Sequence, residues 1–178
     1  QRGDAVPPRS AGFAAGPDVA RADEEVDAAA AAWLHPVIVP AATVDDVTSL
    51  SADVDVLHIA AHGRHSSDNP MFSGLELADG PLFGYDIDRM PRVPSTVVLS
   101  ACETGKGKIV GGEGIVGLTR AFMYAGSPRV ICSLWKVDDE ATKALMVKFY
   151  ELWNPKDGKP GLPTAEALRK AQEFVRDD

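Results

Sequence analysis

Short, nearly continuous runs of apolar residues alternate along the chain with segments of helical periodicity. Four such runs, rich in β-branched residues, predict strands at 37–39, 56–61, 96–101 and 130–135. Runs of this kind are typical of parallel strands buried on both faces. Apolar residues at helical spacing predict helices at 44–50, around 85–90, at 113–125, from 138 or 139 to 153, and from 164 to about 176. This alternation predicts an α/β fold with a mostly parallel central sheet and helices on both faces.

The beginning of the chain lacks this periodicity. Residues 1–17 are rich in Pro, Gly, Ala and Arg, and they predict a loop or poorly ordered arm in which part of a first strand could lie at 12–15. From Asp18, a good helix N-cap, apolar residues recur at helical spacing as far as Trp33 and predict a surface helix. We therefore expect one folded domain over 18–178. The first residue of the chain is not Met, which is compatible with a piece of a longer polypeptide that carries regulatory domains.

Composition narrows the class of protein. A chain of 178 residues with 45% hydrophobic content is long enough for one domain with a full core. The net charge of -8 argues against nucleic-acid binding, which requires a basic surface. No apolar run approaches the roughly 20 residues of a membrane helix. Two cysteines are too few for a dense disulfide framework and favour a reducing, cytoplasmic location.

Two residues with reactive side chains stand at the ends of predicted strands. His62 follows the run at 56–61, and Cys102 follows the run at 96–101. In an open parallel sheet, ligands bind beyond the carboxyl ends of the strands. An imidazole there can activate a thiol for nucleophilic attack. The spacing alone is equally compatible with a buried thiol and a loop histidine. Cys132, within an apolar run, is expected to be a buried residue without a chemical role.

The amino-acid sequences of four segments resemble the CHAT family, a branch of the caspase, separase and gingipain clan of cysteine peptidases. These segments are His-Ile-Ala-Ala-His-Gly at 58–63, Leu-Ser-Ala-Cys-Glu-Thr-Gly at 99–105, Gly-Gly-Glu-Gly at 111–114 and Ser-Leu-Trp-Lys-Val-Asp-Asp at 133–139. The resemblance runs in order from about Asp18 to the end of the chain. It implies a caspase-like fold, although the first strand of the family is weak or missing at 11–17.

The resemblance also implies roles for the residues at the strand ends. Cys102 is then the nucleophile and His62 its acid/base partner. The backbone N–H groups of Gly63 and Cys102 form the oxyanion hole, where they meet charge that develops in the tetrahedral intermediate. Gly63 suits this role because it lacks a Cβ and lets a carbonyl approach the backbone closely.

Further residues are implied to contact the substrate. Ser133 and Trp135 lie in a segment that resembles the substrate-pairing strand of caspases, in which Trp135 forms an apolar wall. Ser100 is also predicted to contact the substrate. Of Asp138 and Asp139, one is expected to cap the following helix, and which one stays open. By resemblance to separases and gingipains, the other aspartate is expected to bind a basic residue of the substrate, Arg or Lys, directly before the scissile bond.

Two other kinds of site were weighed. His58, His62 and His65 would suggest zinc on a helix, but 58–62 is predicted to be a strand, and we expect His58 to pack in or against the sheet. The glycines at 112, 114 and 117 match a dinucleotide fingerprint, but a loop at 103–111 separates them from the strand, and no Gly-Lys-Ser/Thr follows them. No metal or cofactor is therefore expected.

The sequence thus predicts a bacterial-type cysteine endopeptidase that cleaves a specific protein partner through Cys102 and His62 and a covalent acyl-enzyme. The alternative is a peptidase-like module that binds a partner without turnover.

Overall fold

The computed structural model describes residues 8, 10–19, 22–64, 68–69, 72–102, 113–132 and 138–177. Seven strands lie within these residues: β1 Ala11–Ala15, β2 Val37–Val39, β3 Val56–Arg64, β4 Gly74–Leu77, β5 Gly80–Phe83, β6 Thr96–Cys102 and β7 Arg129–Cys132. Six helices accompany them: α1 Ala22–Ala30, α2 Val44–Asp53, α3 Gly84–Asp88, α4 Glu113–Ala125, α5 Asp139–Trp153 and α6 Thr164–Asp177.

All seven strands belong to one sheet. Five are parallel, in the spatial order β2, β1, β3, β6, β7. β3 is longer than its neighbour β1, and its last three residues pair with β4 instead. β4 and β5 form an antiparallel hairpin at this end of the sheet. β3 and β6 are thus central strands, and their carboxyl ends reach the same edge.

A hydrophobic core lies on each face of the sheet. One core joins the sheet to α2, α3 and α4 through residues such as Leu50, Ile87 and Phe122. The other joins it to α1, α5 and α6 through residues such as Val26, Phe149 and Ala167. Because side chains alternate along a strand, Leu57 and Ile59 of β3 enter the first core, whereas Val56 and Ala60 enter the second.

Local sequence signals set several of the helix boundaries. Thr43 caps α2 in a capping box: its hydroxyl accepts from the N–H of Asp46, whose carboxylate accepts from the N–H of Thr43. Gly126 follows α4 with a φ of 119°, a conformation that glycine adopts without strain. Asp138 caps α5 by accepting from the N–H of Ala141 at 3.1 Å.

The predicted fold class is confirmed, since the sheet is mostly parallel and has helices on both faces. The reading of 1–17 as an arm that holds at most part of a strand at 12–15 was wrong at 11–15, where a complete strand, β1, is fully buried between β2 and β3. Asp18 was also wrong as a cap, because α1 begins at Ala22. β2 is an exposed edge strand, contrary to the expected burial on both faces: Val37 and Ile38 are 49% and 42% exposed.

In the described part of the chain, no helix is both long enough and apolar enough to cross a membrane.

Candidate active site

The strands that carry His62 and Cys102 are neighbours, and these two residues are direct partners in the parallel register. The pairing brings together positions 40 residues apart in sequence. For Cys102 the structure describes the backbone, and its side chain lies outside the described residues. The two strand ends therefore meet at one edge of the sheet, as the positions of the residues predicted.

Gly63 lies one residue beyond this last register pair. The carbonyl of Ala60 accepts from the N–H of Gly16 at 2.8 Å, on the β1 side of β3. The N–H and C=O groups of successive strand residues point alternately to the two sides of the strand. Three residues later, the N–H of Gly63 points to the opposite side, toward β6. An oxyanion hole at this N–H, next to Cys102, stays a prediction.

The ring of His62 is held by a backbone carbonyl. Its Nε2 lies 2.8 Å from the carbonyl oxygen of Asp18, and the side chain is half-buried. A carbonyl can only accept, so Nε2 carries the proton of this hydrogen bond. In a neutral ring, Nδ1 is then the nitrogen that can take up a proton. The contact thus fixes both the orientation and the tautomer of a candidate base.

The turn before α1 presents this carbonyl. Asp18 has a φ of 56°, the left-handed region that is uncommon for residues other than glycine. Two residues earlier, Gly16 packs directly on the sheet: a Cβ there would lie 2.6 Å from the carbonyl oxygen of Glu76 and 2.8 Å from the Cβ of Ala61. The close packing of Gly16 brings the chain across the end of β3. Unusual backbone conformations of this kind often occur at functional sites.

A buried polar network lies under the two strand ends. One carboxylate oxygen of Glu25, in α1, lies 3.0 Å from His58 Nε2, and the other accepts from the Ser100 hydroxyl at 2.9 Å. His58 Nδ1 lies 2.8 Å from the hydroxyl of Tyr150, in α5. His58 is four residues before His62 on β3, and Ser100 is two residues before Cys102 on β6. Glu25 therefore ties α1 to both strands of the candidate site.

The directions of these hydrogen bonds are mutually consistent. A carboxylate only accepts, so His58 Nε2 and Ser100 Oγ both donate to Glu25. Burial, and secondly the negative charge of Glu25, raise the pKa of the Tyr150 phenol well above its ordinary value. Tyr150 therefore keeps its proton and can donate to His58 Nδ1. His58, which is 0% exposed, then has a partner at each ring nitrogen.

The residues predicted to contact substrate have different positions. Asp138 is the helix cap, which settles one half of the prediction for the two aspartates. Asp139 is the first residue of α5, and its side chain lies outside the described residues. Ser133 and Trp135 also lie outside them. Ser100 is half-buried, and its hydroxyl is used within the network.

The remaining sequence predictions concern His58, Cys132 and other kinds of site. His58 packs against the sheet as expected, with its ring centroid 5.5 Å from that of Phe13. Cys132 was expected to be buried but is half-buried, beside the hydroxyl of Thr119. Among the described residues, no group of His, Cys, Asp or Glu could hold a metal ion. Of the glycines weighed for a dinucleotide, Gly114 and Gly117 belong to α4, whereas Gly112 and the loop at 103–111 lie outside the described residues.

Sequence reasoning missed Asp18, Glu25 and Tyr150 as parts of the site. Asp18 contributes a backbone carbonyl, which has no sequence signature. Glu25 belongs to three consecutive acidic residues in the first turn of α1, where negative charge suits the helix dipole. Its place on the same helical face as Ala22, Val26 and Ala29 was the available signal, because a carboxylate bordering an apolar stripe needs a partner when it is buried.

Comparison with known proteins gives one family and two relatives. The family model for the CHAT domain matches residues 8–178. Human tetratricopeptide repeat protein 28 is 31% identical over 118 residues, 66% of this chain. Its mouse counterpart is 36% identical over 81 residues, 45% of this chain. The matched stretches cover 4% and 3% of those two proteins, so the chain corresponds to a small part of each.

Proposed function

Because this chain belongs to the CHAT domain family, we propose that it is a cysteine endopeptidase domain acting through Cys102 and His62. The observation that carries the proposal is the register of β3 and β6, which makes these two residues direct neighbours at the carboxyl edge of the sheet. The hydrogen bond from His62 Nε2 to Asp18 supports it, because Nε2 then carries a proton and the basic lone pair of a neutral ring is on Nδ1. The proposed substrate is a protein or peptide.

In the proposed reaction, the Cys102 thiol passes its proton to His62 Nδ1, and the resulting thiolate attacks the scissile carbonyl. The N–H groups of Gly63 and Cys102 stabilise the oxyanion of the tetrahedral intermediate. His62 then donates its proton to the leaving amine, and the C–N bond breaks to give a thioester with Cys102. Water, deprotonated by His62, hydrolyses the thioester and releases the acid and the free thiolate. The Asp18 carbonyl stabilises His62 while the ring is protonated.

Labelling of the thiol tests the assembled site. A peptide carrying an acyloxymethyl ketone warhead should alkylate Cys102 faster than Cys132, as read by mass spectrometry of the digested protein. Cys102→Ala should abolish both labelling and peptide cleavage, and Cys132→Ala should keep them. His62→Ala should lower kcat/KM by at least about 100-fold. Equal labelling of both cysteines, or cleavage by Cys102→Ala, would exclude the proposed nucleophile.

A second candidate function is partner binding without turnover. It is favoured by the two relatives, whose name describes a repeat protein and no peptidase activity. Such a module would leave Cys102 no more reactive than a free thiol. The same labelling experiment therefore separates the two functions.

A further inference from the structure

Three aromatic side chains form an exposed group beside the candidate site, here called the aromatic cluster: Phe72, Phe83 and Tyr85. The rings of Phe83 and Tyr85 are stacked with centroids 5.3 Å apart, and Phe72 meets both edge-on at 5.8 and 6.4 Å. Phe72 is 50% exposed and Tyr85 is 37% exposed. Aromatic residues that are grouped and partly exposed are typical of contact surfaces.

The cluster lies on the same face of the sheet as His62. His62 is paired with Glu76 of β4, and the neighbouring row joins Arg64, Gly74 and Phe83 across β3, β4 and β5. Residues directly opposite each other share a face, and so do residues two apart on one strand. Phe83 therefore projects from the face of His62. Leu75 and Leu82, on the other face, are fully buried in the core beneath.

Gly74 lets the cluster approach the site. It stands between Arg64 and Phe83, and a Cβ at this position would lie 2.5 Å from the carbonyl oxygen of Leu82 and 3.3 Å from Cδ1 of Phe83. The ring of Phe83 thus lies against the backbone of β4, where any side chain would displace it. As a result, the row next to His62 carries an aromatic surface.

We propose that the aromatic cluster binds an apolar or aromatic side chain of the substrate, two or three residues after the scissile bond. The inference rests on the proposed peptidase function. β5 lies two strand spacings from β3, about 10 Å, which an extended peptide covers in about three residues. Ser133 and Trp135, which are predicted to contact the substrate, follow β7 in sequence, and β7 pairs with β6 on the side away from β3. We assign the acyl half of the substrate to the side of β7 and the leaving half to the side of β4 and β5.

Two matched sets of substrates test this assignment. An acyl half is first selected from a peptide library with a coumarin amide as leaving group. The same acyl half is then extended beyond the scissile bond by four residues, with Leu, Phe or Ser at the second and third. The cluster variants are Tyr85→Ala and Phe72→Ala. The control is Tyr124→Ala, an aromatic residue of α4 that is 87% exposed.

We expect the wild-type protein to prefer Leu or Phe over Ser by about 10-fold in kcat/KM, the size typical of one apolar contact. Both cluster variants should lose most of this preference and still cleave the coumarin substrate at the wild-type rate, and Tyr124→Ala should behave as wild type. Equal cleavage of the Leu, Phe and Ser peptides by the wild-type protein would overturn the subsite and leave the peptidase in place. Absence of coumarin release, with unselective labelling of Cys102, would overturn the peptidase and the subsite with it.

Discussion

Glu25→Ala is expected to destabilise the protein far more than its position near a helix start suggests. The change removes the acceptor of two donors, His58 Nε2 and the Ser100 hydroxyl. A buried donor left without a partner costs about 1–3 kcal/mol. His58 is fully buried and should take the full cost, whereas the half-buried Ser100 can turn toward water. We therefore expect the free energy of unfolding to fall by about 1–3 kcal/mol, nearly all of it from His58.

Two other variants separate this cost from the loss of a helix charge. Glu24→Ala removes an exposed carboxylate from the same helical turn and should cost about 0.3–1 kcal/mol. Glu25→Gln keeps an oxygen for His58 and has an amide that can donate to Ser100. Its loss in free energy of unfolding should therefore be smaller than that of Glu25→Ala by at least about 1 kcal/mol.

Urea unfolding at pH 7 measures these differences. Trp fluorescence is a suitable signal because Trp33 packs on Tyr150, with ring centroids 5.5 Å apart. The transition midpoints are compared at constant slope. A double-mutant cycle that combines Glu25→Ala with Ser100→Ala should give an interaction free energy of at least about 0.5 kcal/mol. Two results would refute this role of Glu25. One is a loss in the free energy of unfolding that is no larger for Glu25→Ala than for Glu24→Ala, and the other is an equal loss for Glu25→Gln and Glu25→Ala.

Three further predictions concern Asp138, Asp139 and Asp46. Asp138→Ala should lower the free energy of unfolding by about 1 kcal/mol, and Asp138→Asn by much less, because Asn still accepts from the Ala141 N–H; urea unfolding checks both. If Asp139 selects a basic residue before the scissile bond, Asp139→Asn should lower the kcat/KM ratio of Arg to Leu substrates and Asp138→Asn should not; an equal ratio in both variants and wild type would exclude the acidic pocket. The third prediction concerns acid: hydrogen bonds with the Thr43 backbone and then with its hydroxyl lower the pKa of Asp46. A lowered folded-state pKa gives stability that is present above the ordinary value of 3.8 and is lost as pH falls through the folded value. The Tm difference between wild type and Asp46→Asn should therefore be larger at pH 6 than at pH 2.5, and a difference that grows on acidification would contradict the cap.

The sequence was sufficient for the elements whose patterns are local. The helix predicted at 113–125 has those bounds, and α5 begins after an aspartate cap as expected. Both follow from periodicity and capping, which depend on residues within one or two turns. The positions of His62 and Cys102 at strand ends were also predictable, because buried parallel strands are visible as apolar runs.

Only the tertiary structure decided β1 and the surroundings of the dyad. Residues 11–15 are mostly small and have weak strand propensity, and they form a strand because β2 and β3 pair with them on both sides. Asp18 and His62 are 44 residues apart, and the contact between them depends on a backbone carbonyl that every residue possesses. Glu25 borders the apolar stripe of α1 in the sequence, but only packing places it between His58 and Ser100. Such contacts depend on how distant segments pack, and a local sequence pattern does not encode that.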